Sequence, residues 1–194
     1  MQTRRRQIED VASTLFSSRG YAATSMRDIA KALDLQGGSL YSHIPSKEAV
    51  LAAIVEEAAE AFHAAVRPIA EGEGSAAERL RRMVAAHVRV VTGGRERAKV
   101  FLFEWTFLGE ERRAAIARSR SAYQDYFERV VAEGMAAGEL SSPDPKLAAV
   151  FILSAMNAIA HWYRPDGALG PDALAGQYAE LFLQGLQGDQ KGTR

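Results

Sequence analysis

The chain is predicted to be all-α, a short three-helix N-terminal segment followed by a longer helical one, and three observations lead there. Val, Ile and Thr never gather into alternating runs, so no strand pattern is present. Ala, Leu, Glu and Arg recur at helical spacing through most of the 194 residues. Cap residues, Gly and Pro punctuate this pattern at intervals suited to helices of ordinary length.

Taken in order, Ile8, Val11, Ala12, Leu15 and Phe16 lie on one helical face, and Gly20 stops that helix near Arg19. Thr24 or Ser25 caps the next, with Asp28 placed three after Ser25 as in a capping box and Met26, Ile29, Ala30 and Leu33 as its apolar stripe. A third short helix is expected over about Gly37 to His43, ended by Pro45, after which Ser46 caps a long helix carrying Val50, Leu51, Ile54 and Val55. The stretch EGEGS after Pro68 is a loop, and Ser75 with Glu78 reopens a helix with Leu80, Met83, Val84, His87 and Val91. Gly93 and Gly94 separate it from RERAKVFLFEWTFL, a helix apolar nearly all round and therefore expected to be buried. A long helix from about Glu110 to Ala137 follows. The stretch SSPDP then precedes two final helices, about Pro145 to Tyr163 and Pro171 to Leu186, and GDQKGTR reads as a disordered tail.

At 47% hydrophobic residues the chain has ample material for a packed core. No apolar run reaches the roughly 18 residues of a membrane span, and MQTRRRQIEDVASTLF lacks the apolar stretch of a signal peptide, so a cytoplasmic protein is expected. The absence of Cys removes disulfides, thiolate metal sites and cysteine nucleophiles. Basic and acidic residues balance at 24 each, yet Met1 to Lys47 holds seven basic residues against four acidic ones, a net +3. A mildly basic head on a mildly acidic remainder suits a protein that touches nucleic acid with one end.

Two short helices joined by a tight turn, Thr24 to Leu33 and Gly37 to His43, make a helix-turn-helix, whose second helix enters the major groove. The residues make this specific. Gly20-Tyr21, Thr24-Ser25, Ile29-Ala30, Leu40-Tyr41, His43-Ile44 and Ser46-Lys47-Glu48 follow one another in a pattern that resembles the TetR/AcrR family of transcriptional regulators from about Gln7 to Ile54. The resemblance implies a DNA-binding domain over 1–48, a helical ligand-binding and dimerisation domain over 49–188, and a tail over 189–194. Candidate DNA-binding residues are Thr24, Arg27, Gln36, Gly37, Ser39, Tyr41, Ser42, His43 and Lys47. Tyr41 and Lys47 offer a phenol and a charge to phosphate, which fixes register. Arg27, Gln36, Ser39, Ser42 and His43 are placed to read base edges, although capping by Gln36 and packing by Ser39 are equally open. Gly37 and Gly38 allow close approach to the groove. Arg4, Arg5 and Arg6 suit either a minor groove or phosphates, or an exposed basic tail. The family's turn between helices two and three usually holds Gly. Here it is Asp34, which tolerates a left-handed backbone better than most residues and places a negative charge near the DNA face.

FEWTFLGEERR (Phe103 to Arg113) and HWYRPDGALGPDALAGQYAELFLQGL (His161 to Leu186) resemble the bodies of TetR regulators linked to lipid and steroid catabolism, some of which answer acyl-CoA thioesters. This implies a homodimer formed through the last two helices, a double-stranded operator, and an apolar small-molecule effector. Val150, Phe151, Leu153, Met156, Ile159, Leu174, Tyr178, Leu181, Phe182 and Leu183 supply surface for both the dimer and the intramolecular core. Candidate ligand-binding residues are Met83, His87, Phe101, Trp105, Tyr123, Phe127 and Asn157, since sensors of this family bind between body helices; the same aromatic stripe also suits an ordinary core. No cofactor, catalytic residue or metal site is expected. His63, His87 and His161 are scattered, no Gly-x-Ser-x-Gly elbow or phosphate loop occurs, and Glu56-Glu57 and Glu110-Glu111 read as solvated helix surface. The alternative is a helical adaptor that keeps the head shape and binds only protein; Tyr41 and Lys47 argue against it.

Overall fold

A computed structural model describes residues 3–35, 40–142 and 144–186. Among them are eight α-helices, one 3-10 turn and no strand: α1 (Arg4–Arg19), α2 (Met26–Ala32), α3 (Lys47–Ala70), α4 (Ala76–Gly93), α5 (Arg95–Phe103), the 3-10 turn (Trp105–Phe107), α6 (Glu110–Ala136), α7 (Pro145–Trp162) and α8 (Pro171–Gly185). They divide into two compact units. The first holds Met1–Glu60 and Gly94–Ser119, and the second Ala61–Gly93 and Arg120–Arg194.

In the first unit, α1 packs on α2 and α5, with Ile8, Ala12, Phe16, Ile29, Leu40, Ile44, Val50, Leu51, Ile54, Val100, Phe101 and Leu102 buried. Thr3 caps α1, so Arg4, Arg5 and Arg6 are its first turn and not a tail. Three cations there oppose the helix dipole. Their carbonyl and carboxylate partners offset this: Arg5 pairs with Glu9, Arg6 with Asp10 and Glu57, and Arg4 bonds Gln7. Ser25 and Asp28 form the full reciprocal capping box of α2. Asp34 has φ 54°, the left-handed conformation that a short polar side chain accepts more readily than others do. Ser46 accepts from the Ala49 amide at the start of α3, at 3.1 Å.

The apolar run at 95–108 is not one helix. It breaks at Glu104 into α5 and a 3-10 turn, leaving Val100, Phe101 and Leu102 buried but Phe103 and Phe107 exposed. The reason is tertiary. Glu104 accepts from the Tyr21 amide at 3.0 Å, and the Phe107 ring lies 5.3 Å from that of Tyr21.

In the second unit, α4 packs on α7 and α8. Leu80, Met83, Val84, Val88, Phe127, Val130, Ile152, Met156, Leu174, Phe182 and Leu183 are among its buried core. Asp144 caps α7 by accepting from the amides of Lys146 and Leu147 at 2.8 and 3.2 Å, with Pro145 at the first helical position. Arg81–Glu180 and Arg89–Asp172 join α4 to α8 at the surface. The residues expected to serve both dimer and core separate here. Met156, Ile159, Leu174, Phe182 and Leu183 are buried, whereas Val150, Phe151 and Leu181 are exposed. Residues 187–194, including the segment expected as a tail, lie outside the described residues.

Candidate nucleic-acid interface and a buried polar pair

In the first unit an open concavity of about 560 Å³ is lined by residues 22–27, Tyr41 and Lys47. It brings together four residues expected to meet DNA. Arg27 and Tyr41 are exposed, Tyr41 by 55%. A phenol that exposed is available to an external oxygen.

Thr24 and Lys47 are held differently. Thr24 is buried, and its hydroxyl donates to the Gly20 carbonyl at 2.9 Å. Lys47 Nζ donates to the carbonyls of Tyr21 and Thr24 at 2.9 and 2.7 Å and sits 4.1 Å from the Tyr21 ring centre. Two of its three donors therefore fasten the Tyr21–Thr24 turn to the start of α3. Ser42 and His43 are exposed next to Tyr41. Gln36, Gly37, Gly38 and Ser39, and with them the first part of the expected third helix, lie outside the described residues.

Of the expected ligand-binding residues, Phe101 and Trp105 belong to the first unit, where Phe101 is buried and Trp105 half-buried. Met83, His87, Tyr123, Phe127 and Asn157 belong to the second. His87 is 1% exposed, and its Nδ1 lies 2.9 Å from the Tyr123 hydroxyl. The Phe62 ring is 4.9 Å from His87, and Phe127 is 5.7 Å from Tyr123. Met83 is one turn before His87 on α4 and fully buried, while Asn157 is half-buried on α7. Burial lowers His87 from its ordinary value to about 3, and burial followed by Tyr126 pushes the Tyr123 phenol well up. The ring is neutral at physiological pH.

Two further members of this cluster were not anticipated. His63, 3.3 Å from the Tyr126 hydroxyl, and Phe62 both sit on α3. Phe62 continues the apolar row of Leu51, Val55, Ala59 and Val66 and was therefore open to being found, whereas His63 lies off that row and carries no such signal. No group of His, Cys, Asp or Glu suited to a metal ion occurs among the described residues.

Helix-turn-helix residues around one concavity and a separate helical unit define a class of DNA-binding regulator with a sensor body. The comparisons agree. The profile described as bacterial regulatory proteins, tetR family, matches residues 8–54, and that of the tetracyclin repressor-like C-terminal domain matches residues 73–186. The chain belongs to the TetR family and is a transcriptional regulator of that type. It is similar to the HTH-type transcriptional repressor KstR2 of Rhodococcus jostii, 29% identical over 185 residues, covering 94% of this chain and 91% of that one. It also matches the structure of the ketosteroid transcriptional regulator KstR2 of Mycobacterium tuberculosis with a TM-score of 0.91, 25% identity and 97% coverage of both chains. A third match is AibR in complex with isovaleryl coenzyme A and operator DNA, TM-score 0.82, 30% identity, covering 95% of this chain and 98% of that one. No helix of the described residues is long and apolar enough to cross a membrane.

Proposed function

We propose that the protein is a homodimeric cytoplasmic repressor that binds a palindromic operator and is released by an apolar, carbonyl-bearing effector, an acyl-CoA or related lipid-derived molecule. The observation that carries the DNA part is the shared concavity of Arg27, Tyr41 and Lys47, contributed by segments on either side of the helix-turn-helix turn. Arg27 and Tyr41 face solvent and meet DNA directly, with Ser42 and His43 beside them. Thr24 and Lys47 set the geometry of the turn, and the third Lys47 donor adds positive charge there. Gln36, Gly37 and Ser39 are proposed as contacts on sequence grounds. The effector class is supported by similarity to AibR, crystallised with an acyl-CoA, and to KstR2. Release requires that the effector favour the conformation that does not fit DNA, since equal affinity for both shifts nothing.

Selection from random duplexes tests this reading, with Arg27→Ala and Tyr41→Phe beside the parent. An enriched inverted repeat is expected, bound about tenfold more weakly by each variant, the size of one lost hydrogen bond to a charged or base-edge partner. If no sequence is enriched, the DNA-binding assignment of this face fails.

A further inference from the structure

Among the described buried side chains, two nitrogens have no hydrogen-bonding protein partner, Arg79 Nε and His87 Nε2. Arg79 meets its needs elsewhere, through Glu133 and the Ala70 carbonyl. His87 has only Tyr123. A phenol is a stronger acid than a neutral imidazole N–H, so Tyr123 donates to Nδ1 and the ring proton resides on Nε2. The result is a buried donor without an acceptor among the protein's own groups. Leaving such a group unpaired is unfavourable, and a binding site recovers that cost when an acceptor arrives.

We propose that His87 Nε2–H is the hydrogen-bond donor to the carbonyl oxygen of the effector, a thioester or ketone joined to an apolar body, and that Tyr123 is the positioning residue that fixes the imidazole tautomer. This rests on the reading of the second unit as an effector-binding body. The chemistry of the surroundings selects the acceptor. His87 lies against Phe62 and Tyr123 and shares its helix face with buried Met83 and Val84, so its surroundings are apolar, of the kind that an alkyl or alicyclic chain packs against. A neutral donor there matches a neutral carbonyl. A carboxylate would bring a charge into the same apolar setting, at far greater desolvation cost.

Thioester and thioether ligands that differ only in the carbonyl separate this contact from all others. The full-length protein would be titrated with acyl-CoAs from butyryl to palmitoyl, with the matching S-alkyl-CoAs, and with a steroid ketone, following the ¹⁵N resonance of His87 alongside affinity. The parent is expected to prefer the thioester about tenfold over its thioether, with the Nε2 resonance shifting only for carbonyl ligands. His87→Phe brings the ratio to about one. His87→Gln, which keeps an N–H donor, restores part of it, and Tyr123→Phe reduces it while apolar binding persists. Equal affinity of the parent for thioester and thioether overturns the proposal, as does a preference that survives in His87→Phe. So does the failure of every carbonyl ligand to bind or to shift Nε2. The parent comparison and the resonance need no variant to fold. Operator selection is read separately, so loss of this contact leaves the DNA assignment standing.

Discussion

Protonating His87 means placing a charge against Phe62 and Tyr123, and the unfolded chain has no such difficulty. Its histidines titrate near 6.5, whereas the folded ring resists down to about 3. As pH falls through about 6.5 the unfolded state takes up the proton and the folded state does not. Stability therefore falls with acidification over that window, and by about 2 kcal/mol between about pH 7 and about pH 5 from this residue alone. Urea unfolding of the parent and of His87→Gln at both pH values is expected to show the drop in the parent and a curve flatter by that amount in the variant; parallel curves would mean a hydrated ring. Gly134 presents a different competition. Alanine is the better helix former by about 1 kcal/mol, yet a Cβ there would lie 2.7 Å from Leu140 Cδ1 and 2.8 Å from Ala76 Cβ. The Ala76 carbon is fixed to its backbone and cannot turn aside. Overpacking of about 1–3 kcal/mol should win, so Gly134→Ala is expected to lower the thermal midpoint despite its propensity gain.

At the scale of elements, Lys47 separates a structural from a nucleic-acid role. Its ammonium ties the Tyr21–Thr24 turn to α3 through two carbonyls and the Tyr21 ring. Lys47→Met should thus destabilise the first unit by about 2 kcal/mol, whereas Tyr41→Phe leaves its melting unchanged and weakens only operator binding. Differential calorimetry with duplex titration distinguishes the two. Such roles mark the limit of what the sequence discloses. The Ser25–Asp28 box, the left-handed Asp34, the Ser46 cap and the helix start at Pro145 are local, written within three or four residues, and were legible. The break at Glu104 was not, because its cause is an amide 83 residues away. Arg4, Arg5 and Arg6 read equally as a tail until Glu57, 51 residues beyond Arg6, entered the network. In the same way the His87–Tyr123 pair was legible as two candidates for one site, while its unpaired nitrogen follows only from packing.

At the scale of the whole molecule the question is what covers α7 and α8. Leu147, Val150 and Phe151 follow at i, i+3 and i+4 on α7, exposed by 60%, 40% and 65%, and Leu181 on α8 is exposed by 67%. Scattered apolar residues need no explanation, but a helical row of them marks a surface that meets a partner. A two-fold axis lets the same face serve both partners, and operator palindromy would mirror that symmetry. Phe151→Glu and Leu181→Glu are therefore expected to yield monomers by light scattering, with unchanged helical content by circular dichroism, since both side chains are mostly exposed and Phe151 meets the core only at the edge of the Phe182 ring. A lone head gains nothing from the second half-site, so affinity for a full operator should fall by roughly a hundredfold or more, while affinity for a single half-site changes little. The comparison of full and half operators carries the argument: equal losses on both would place these residues on the DNA path, and persistence of the dimer would move the interface away from this face.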